Sequence, residues 1–119
     1  MNSYRDLIVW QKSFEFTKEV YRLTSTFPKE EIYSLTSQMR RAAVSIVSNI
    51  AEGFSRKSFR ENAQFLSISF GSTSEVETQL LLAKDLHFAS EKEFARAESL
   101  LLEIRKMLNT MLSNAKKNR

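Results

Sequence analysis

The side chains with the widest chemical reach in this chain are one histidine, a helically spaced run of polar residues, and an uneven set of arginines and lysines. His87 is the only imidazole, so a Ser-His-Asp arrangement would have to pass through it, and a site built on several histidines is excluded. It follows Asp85 and precedes Phe88 at the end of a helical pattern, where a cationic imidazole is favoured by the helix macrodipole, and this explains it without catalysis. Di-iron bundles need several glutamates with two Glu-x-x-His pairs, which one histidine cannot supply. The absence of cysteine removes thiolate nucleophiles, disulfides and Cys-ligated metals, and fits a reducing compartment. No catalytic residue, metal ligand or cofactor site is legible, and the expectation is a protein that is not an enzyme.

The polar run consists of Gln38, Arg41, Ser45, Asn49 and Glu52 on one helix, opposite Asn62, Glu75 and Glu77 on the next. Antiparallel pairing about a turn at 54–57 brings residues whose numbers add to about 112 to one level, setting Arg41 near 71–75 and Glu52 near Arg60. Such a cluster of Gln38, Arg41, Asn49, Glu52 and Glu75 either positions a substrate or fixes helix register through interhelical ion pairs and hydrogen bonds. Gly71, Ser72 and Ser74 favour the second use, because small residues let a neighbouring helix or subunit come close.

The basic residues speak of binding. Eighteen Lys and Arg against 14 Asp and Glu leave a net charge of +4, and the isoelectric point is near 9.5. Residues 55–70 carry Arg56, Lys57 and Arg60 against Glu61; Arg40 and Arg41 lie one helix away, and Lys116, Lys117 and Arg119 form a basic tail. Cations grouped in this way neutralise phosphates and release counterions, which is permissive for RNA or DNA.

These side chains must be positioned by helices. Apolar residues recur with a period of 3.6 in four segments, at about 6–26, 33–53, 58–86 and 90–115. Pro28 ends the first, since proline lacks a donor and disfavours helix in the preceding residue. Gly53 stands where a left-handed cap would close the second. Ser58-Phe59-Arg60-Glu61 and Ser90-Glu91-Lys92-Glu93 read as capping boxes opening the third and fourth. Short connections make consecutive helices antiparallel neighbours, so the predicted fold is all-α, a single-domain up-and-down antiparallel four-helix bundle. Two glycines and one proline argue against a turn-rich β sandwich and against a glycine-rich phosphate loop. The Leu7-Ile8-Val9-Trp10 run is too short for a signal sequence or a membrane span, and the expectation is a cytoplasmic protein with no membrane partner.

Ile68, Leu82 and Leu86 project opposite the main stripe of the third helix, and Leu100 and Met107 lie off the seam of the fourth. A helix apolar on two sides has two partners to satisfy; this surplus is either a broad core with a few exposed leucines or the contact surface of a homo-oligomer.

The segment from Gln38 to Gly53, QMRRAAVSIVSNIAEG, resembles the family of four-helix-bundle proteins encoded in 23S ribosomal RNA intervening sequences. The likeness extends to Phe27-Pro28 with Glu30 and Tyr33-Ser34-Leu35 upstream, and to Phe65-Leu66, Gly71-Ser72, Glu75, Glu77-Thr78 and Ala83 downstream. That family is similar to accessory proteins of diversity-generating retroelements, which the resemblance implies are basic, ring-forming homopentamers engaging a reverse transcriptase and nucleic acid. It implies no catalytic residue, and it marks Arg41, Asn49, Glu52 and Glu75 as recurrent positions that specify the fold. Two positions depart from the family pattern: Val47 stands where proline is frequent and His87 where glycine is, placing a kink in the second helix and the cap of the third in question. Two functions follow as expectations: a non-enzymatic, homo-oligomeric binder of RNA or DNA acting through Arg40, Arg41, Arg56, Lys57, Arg60, Lys116 and Lys117, or a protein-interaction scaffold for a reverse transcriptase or another bacterial protein.

Overall fold

The computed structural model describes residues 3–117; Asn118 and Arg119 of the basic tail lie outside them. A 3-10 turn at Tyr4–Asp6 leads into α1 (Ile8–Thr24), followed by α2 (Ser37–Ser55), α3 (Phe59–Asp85) and α4 (Glu91–Lys117). There is no strand among the described residues. Each helix packs on its two chain neighbours, with α1 and α4 closing the ring, in an all-α bundle 45 Å long and 21 Å across. Contacts between helices confirm the antiparallel arrangement: Asn62 meets Gly53, Ser69 meets Ile46 and Ser72 meets Ser45 across α2 and α3, numbers rising on one helix as they fall on the other.

The apolar period becomes burial. Phe16, Met39, Ile46, Ile50, Val76, Phe94, Ile104 and Leu108 are fully enclosed, each large apolar side chain contributing about 1.5–3 kcal/mol on leaving water. Phe27 closes the core at the α1–α2 connection, its ring 5.5 Å from Phe88 and 6.2 Å from Phe94. Between Pro28 and α2 the chain makes a 3-10 turn, Lys29–Glu31, and a wide π-type turn, Ile32–Thr36. The Glu31 carboxylate accepts there from the Ser34 hydroxyl at 3.2 Å and the Leu35 amide at 3.4 Å.

Several sequence expectations are corrected. Gly53 is not a left-handed cap: no glycine has positive φ, and α2 continues through it to Ser55. Its missing side chain serves close packing instead, since a Cβ there would stand 3.1 Å from Phe65 Cβ and 3.3 Å from the Asn62 carbonyl oxygen. That close approach sets the α2–α3 register, with paired numbers adding to 115–117 rather than 112. Glu52 therefore turns to Arg56 on its own helix, at 3.5 Å, and not to Arg60. Leu100 and Met107 are not surplus surface; both pack partly buried against the core. Ile68, Leu82 and Leu86 are exposed, and so is a second apolar strip on α1 and α2, formed by Phe14, Tyr21 and Val44. Gly71 faces open space, with nothing within 4 Å of a Cβ built there, so within the chain its smallness admits no neighbouring helix.

The helix ends also differ in detail. At the start of α3 only the serine arm of the capping box forms, Ser58 Oγ accepting from the Glu61 amide at 3.1 Å. At α4 only the glutamate arm forms, Glu93 accepting from the Ser90 amide at 3.2 Å and hydroxyl at 2.9 Å. Beyond α3, His87 takes φ of 59°, the left-handed conformation that glycine adopts without strain. The His87 amide donates to the Lys84 carbonyl and the Phe88 amide to the Ala83 carbonyl. This pair of bonds is a Schellman motif, so His87 occupies the position where helices usually carry glycine. Helix α2 runs unbroken through Val47.

Candidate nucleic-acid interface

The up-and-down path places the start of α1, the end of α2, the start of α3 and the end of α4 at one end of the bundle. Arg5, Arg56, Lys57, Arg60, Lys116 and Lys117 are carried there, all exposed, against Asp6, Glu52 and Glu61. The opposite end carries Lys29, Lys84 and Lys92 against Glu30, Glu31, Asp85, Glu91 and Glu93, and Lys84 is spent there on Glu98 at 3.2 Å. The bundle is electrically lopsided: one end is cationic, the other anionic. Two registers bring the basic groups together. Residues 56–60 are contiguous across the α2–α3 turn. In α3–α4 the contacts of Lys84 with Glu98 and of Arg105 with Thr73 put the last turn of α4 level with the first turns of α3.

Along the side of the bundle, several cations have carboxylate partners. Lys12 pairs with Glu103, Arg22 with Glu19, and Lys18 with Glu15 at 2.9 Å. Arg96 reaches Glu19 at 3.6 Å and Glu15 at 4.0 Å. The hydrogen bond from Lys18, aided by the charges of Lys18, Arg96 and Arg22, holds the Glu15 carboxyl below its ordinary value. At the basic end only Arg56 has such a partner: Lys57, Arg60, Lys116 and Lys117 make no ion pair among the described residues. The Arg56 guanidinium also lies over the Phe65 ring at 4.8 Å.

The other two arginines marked in the sequence lie elsewhere. Arg40 and Arg56 are sixteen positions apart along α2 and its cap, about 24 Å along the axis at 1.5 Å per residue. Arg40 is engaged in structure: Nε donates to Thr24 Oγ1 at 2.9 Å, Nη2 to the Tyr21 carbonyl at 3.4 Å, and the guanidinium sits 4.7 Å from the Tyr21 ring centre. It clasps the end of α1 to the start of α2. Arg41 is exposed and lines a shallow cleft with Gln38, Ala42, Ser45 and Glu75.

The polar cluster is brought together only in part. Asn49 Nδ2 donates to the Ser45 carbonyl at 2.8 Å and to Ser45 Oγ at 3.1 Å, and Ser45 shares a 2.7 Å hydrogen bond with Ser72. Ser69 Oγ donates to the Ile46 carbonyl and Asn62 Nδ2 to the Gly53 carbonyl. This ladder of small polar groups pins α2 to α3. Arg105, which the sequence pattern does not single out, plays the matching part between α3 and α4: Nη1 donates to Thr73 and Ser74 hydroxyls at 2.9 Å, Nε lies 3.8 Å from Glu77, and the group stacks over Phe70. Its only local signal is an arginine on the polar side of an amphipathic stripe. No group of three or more acidic or imidazole side chains is placed to hold a metal among the described residues. None of their helices is long and apolar enough to cross a membrane.

A family model described as 23S rRNA-intervening sequence protein matches residues 5–110. Among solved structures, the fold is similar to the crystal structure of a protein of unknown function from the S23 ribosomal protein family of Bacteroides thetaiotaomicron VPI-5482. That match has a TM-score of 0.79 and 22% identity, and covers 88% of this chain and 98% of the other. No curated protein matches the sequence.

Proposed function

Since the chain belongs to the 23S rRNA-intervening sequence protein family, whose bundle it shares, we propose that it is a non-enzymatic binder of nucleic acid that works through the basic end of the bundle and assembles as a homo-oligomer. The observation carrying this reading is the segregation of charge: Lys57, Arg60, Lys116 and Lys117 stand exposed at one end with no ion pair among the described residues, while Lys12, Lys18, Arg22 and Arg96 along the side pair with carboxylates. Unpaired cations in one patch release condensed counterions from a phosphate backbone, the main source of affinity for RNA and DNA. The exposed apolar stripes of Ile68, Leu82 and Leu86 on α3 and of Phe14, Tyr21 and Val44 on α1 and α2 support assembly of several copies. Assembly around a closed ring, a pentamer by family likeness, would multiply a weak patch without new contacts.

The test is fluorescence anisotropy with labelled RNA and DNA across a salt series. Replacing Arg56, Lys57 and Arg60 together by Glu is expected to abolish binding at moderate salt and to flatten the salt dependence by roughly 0.7–0.9 for each phosphate no longer neutralised. Arg41→Glu, near the other end, is expected to change little. Unchanged affinity in the triple variant would refute the reading. The same apolar stripes favour a second one, in which the assembled bundle is a scaffold for a protein partner such as a reverse transcriptase; a partner retained after nuclease treatment distinguishes it.

A further inference from the structure

The basic end carries an aromatic ring that the fold does not use. Ser58 is the cap of α3, so Phe59 is its first helical residue, and it is not among the residues that the helix buries in the core. Phe59 is 73% exposed, the most exposed phenylalanine among the described residues. In the chain it lies between Arg56 and Lys57 on one side and Arg60 on the other, with Phe54, exposed as well, near the end of α2. Phe65 and Phe70, by contrast, are half-buried and each lies under an arginine of the chain itself.

We propose that Phe59 is a stacking platform for an unpaired base, so that the basic end takes single-stranded nucleic acid in preference to duplex. This rests on the nucleic-acid reading above and names the form of the ligand. An exposed flat apolar face flanked in the chain by cations matches a ligand that has flat faces strung on an anionic backbone. A duplex offers the anionic backbone but keeps its base faces stacked on one another, so it meets the cations and leaves Phe59 idle. A single strand satisfies both, and because every base has such a face the contact is tolerant of sequence. RNA and DNA strands share this chemistry.

The experiment measures binding of the full chain to fluorescein-labelled oligo(dT), oligo(rU) and a mixed-sequence duplex, each longer than a site of roughly 4–16 nucleotides. Wild type is expected to hold the single strands more tightly than the duplex. Phe59→Ala is expected to weaken single-strand binding about five- to thirtyfold, with the salt slope and duplex affinity unchanged, since the cations still meet the phosphates. Phe59→Trp is expected to keep the affinity, its fluorescence being quenched by oligo(dT) or oligo(rU) above the background of Trp10. Comparison of oligo(dT) with oligo(rU) tells which strand is preferred. If Phe59→Ala leaves single-strand binding intact, or weakens duplex binding equally, while the triple Arg56, Lys57 and Arg60 reversal abolishes it, the stacking role is overturned and the electrostatic reading survives. If the triple reversal also changes nothing, both fall. A shift in assembled mass with Phe59→Ala and no loss of binding assigns the ring to a protein contact and overturns the proposal.

Discussion

The two glycines of this chain should respond in opposite directions to the same substitution. Gly53 lies inside α2 where α3 passes close by: an added Cβ meets Phe65 Cβ at 3.1 Å and the Asn62 carbonyl oxygen at 3.3 Å. Both atoms are fixed to the α3 backbone, so relief requires the helices to part by a few tenths of an ångström. That movement stretches the 2.7 Å bond from Asn62 to the Gly53 carbonyl and the 2.9 Å bond from Ser69 to Ile46. Overpacking of this kind costs about 1–3 kcal/mol, against a gain of about 1 kcal/mol from replacing glycine by alanine within a helix. Gly53→Ala is therefore expected to destabilise by about 1 kcal/mol. Gly71 is the internal control, since it sits in mid-helix with no atom within 4 Å of the place an added methyl would take; the propensity gain appears there undiminished, and Gly71→Ala is expected to stabilise by about 0.5–1 kcal/mol. For a chain of this size 1 kcal/mol corresponds to a melting shift of about 4 °C, so the two variants should bracket wild type in thermal denaturation followed by circular dichroism. Stabilisation of Gly53→Ala equal to that of Gly71→Ala would refute the close-approach account of Gly53.

Three further outcomes follow from single side chains. His87→Gly relieves the left-handed backbone of a residue with a Cβ and is expected to stabilise by about 0.5–1 kcal/mol; His87→Ala, which keeps the Cβ, should not, and equal melting temperatures for the two variants would count against the Schellman account. Ser13 is fully buried and its hydroxyl has no hydrogen-bond partner, so Ser13→Ala is expected to raise stability by about 1 kcal/mol in urea denaturation, with a loss showing that the hydroxyl is satisfied in solution. Glu15 has a depressed folded-state pKa through Lys18, with Arg96 and Arg22 assisting; its contribution is present above the ordinary carboxylate value and lost as pH falls through the folded one. Glu15→Gln should accordingly lower the melting temperature slightly at pH 7, by less in high salt, and match wild type once acid has protonated the carboxyl; a gap that persists in acid would point to packing instead of charge.

Much of this molecule is written in local patterns. The 3.6-residue recurrence of Phe16, Val20 and Leu23, of Met39, Ala43, Ile46 and Ile50, and of Phe94, Ala97, Leu101, Ile104 and Leu108 determines amphipathic helices, because each pattern needs only its own segment to be read. Ser58 as a cap is local too, as is the contiguous basic run at 56–60. The exposure of Phe59 is not legible there, because a phenylalanine beside a capping serine looks like one more apolar position of the stripe until the packing around it is known.

Tertiary structure decided what depends on which surfaces meet. Gly53 carries the same signature in sequence whether it ends a helix or lets another helix approach, and only the presence of Phe65 and Asn62 opposite distinguishes the two. Arg40 and Arg41 are adjacent in sequence, yet one clasps Thr24 and Tyr21 while the other faces a cleft beside Glu75. Lys116 and Lys117 stand half a chain away from Arg56 in sequence, and the up-and-down path carries them to the same end. Periodicity is a property of one helix and is fixed by residues a turn apart; the level at which two helices engage is set by the small side chains between them, and so by packing that no single segment contains.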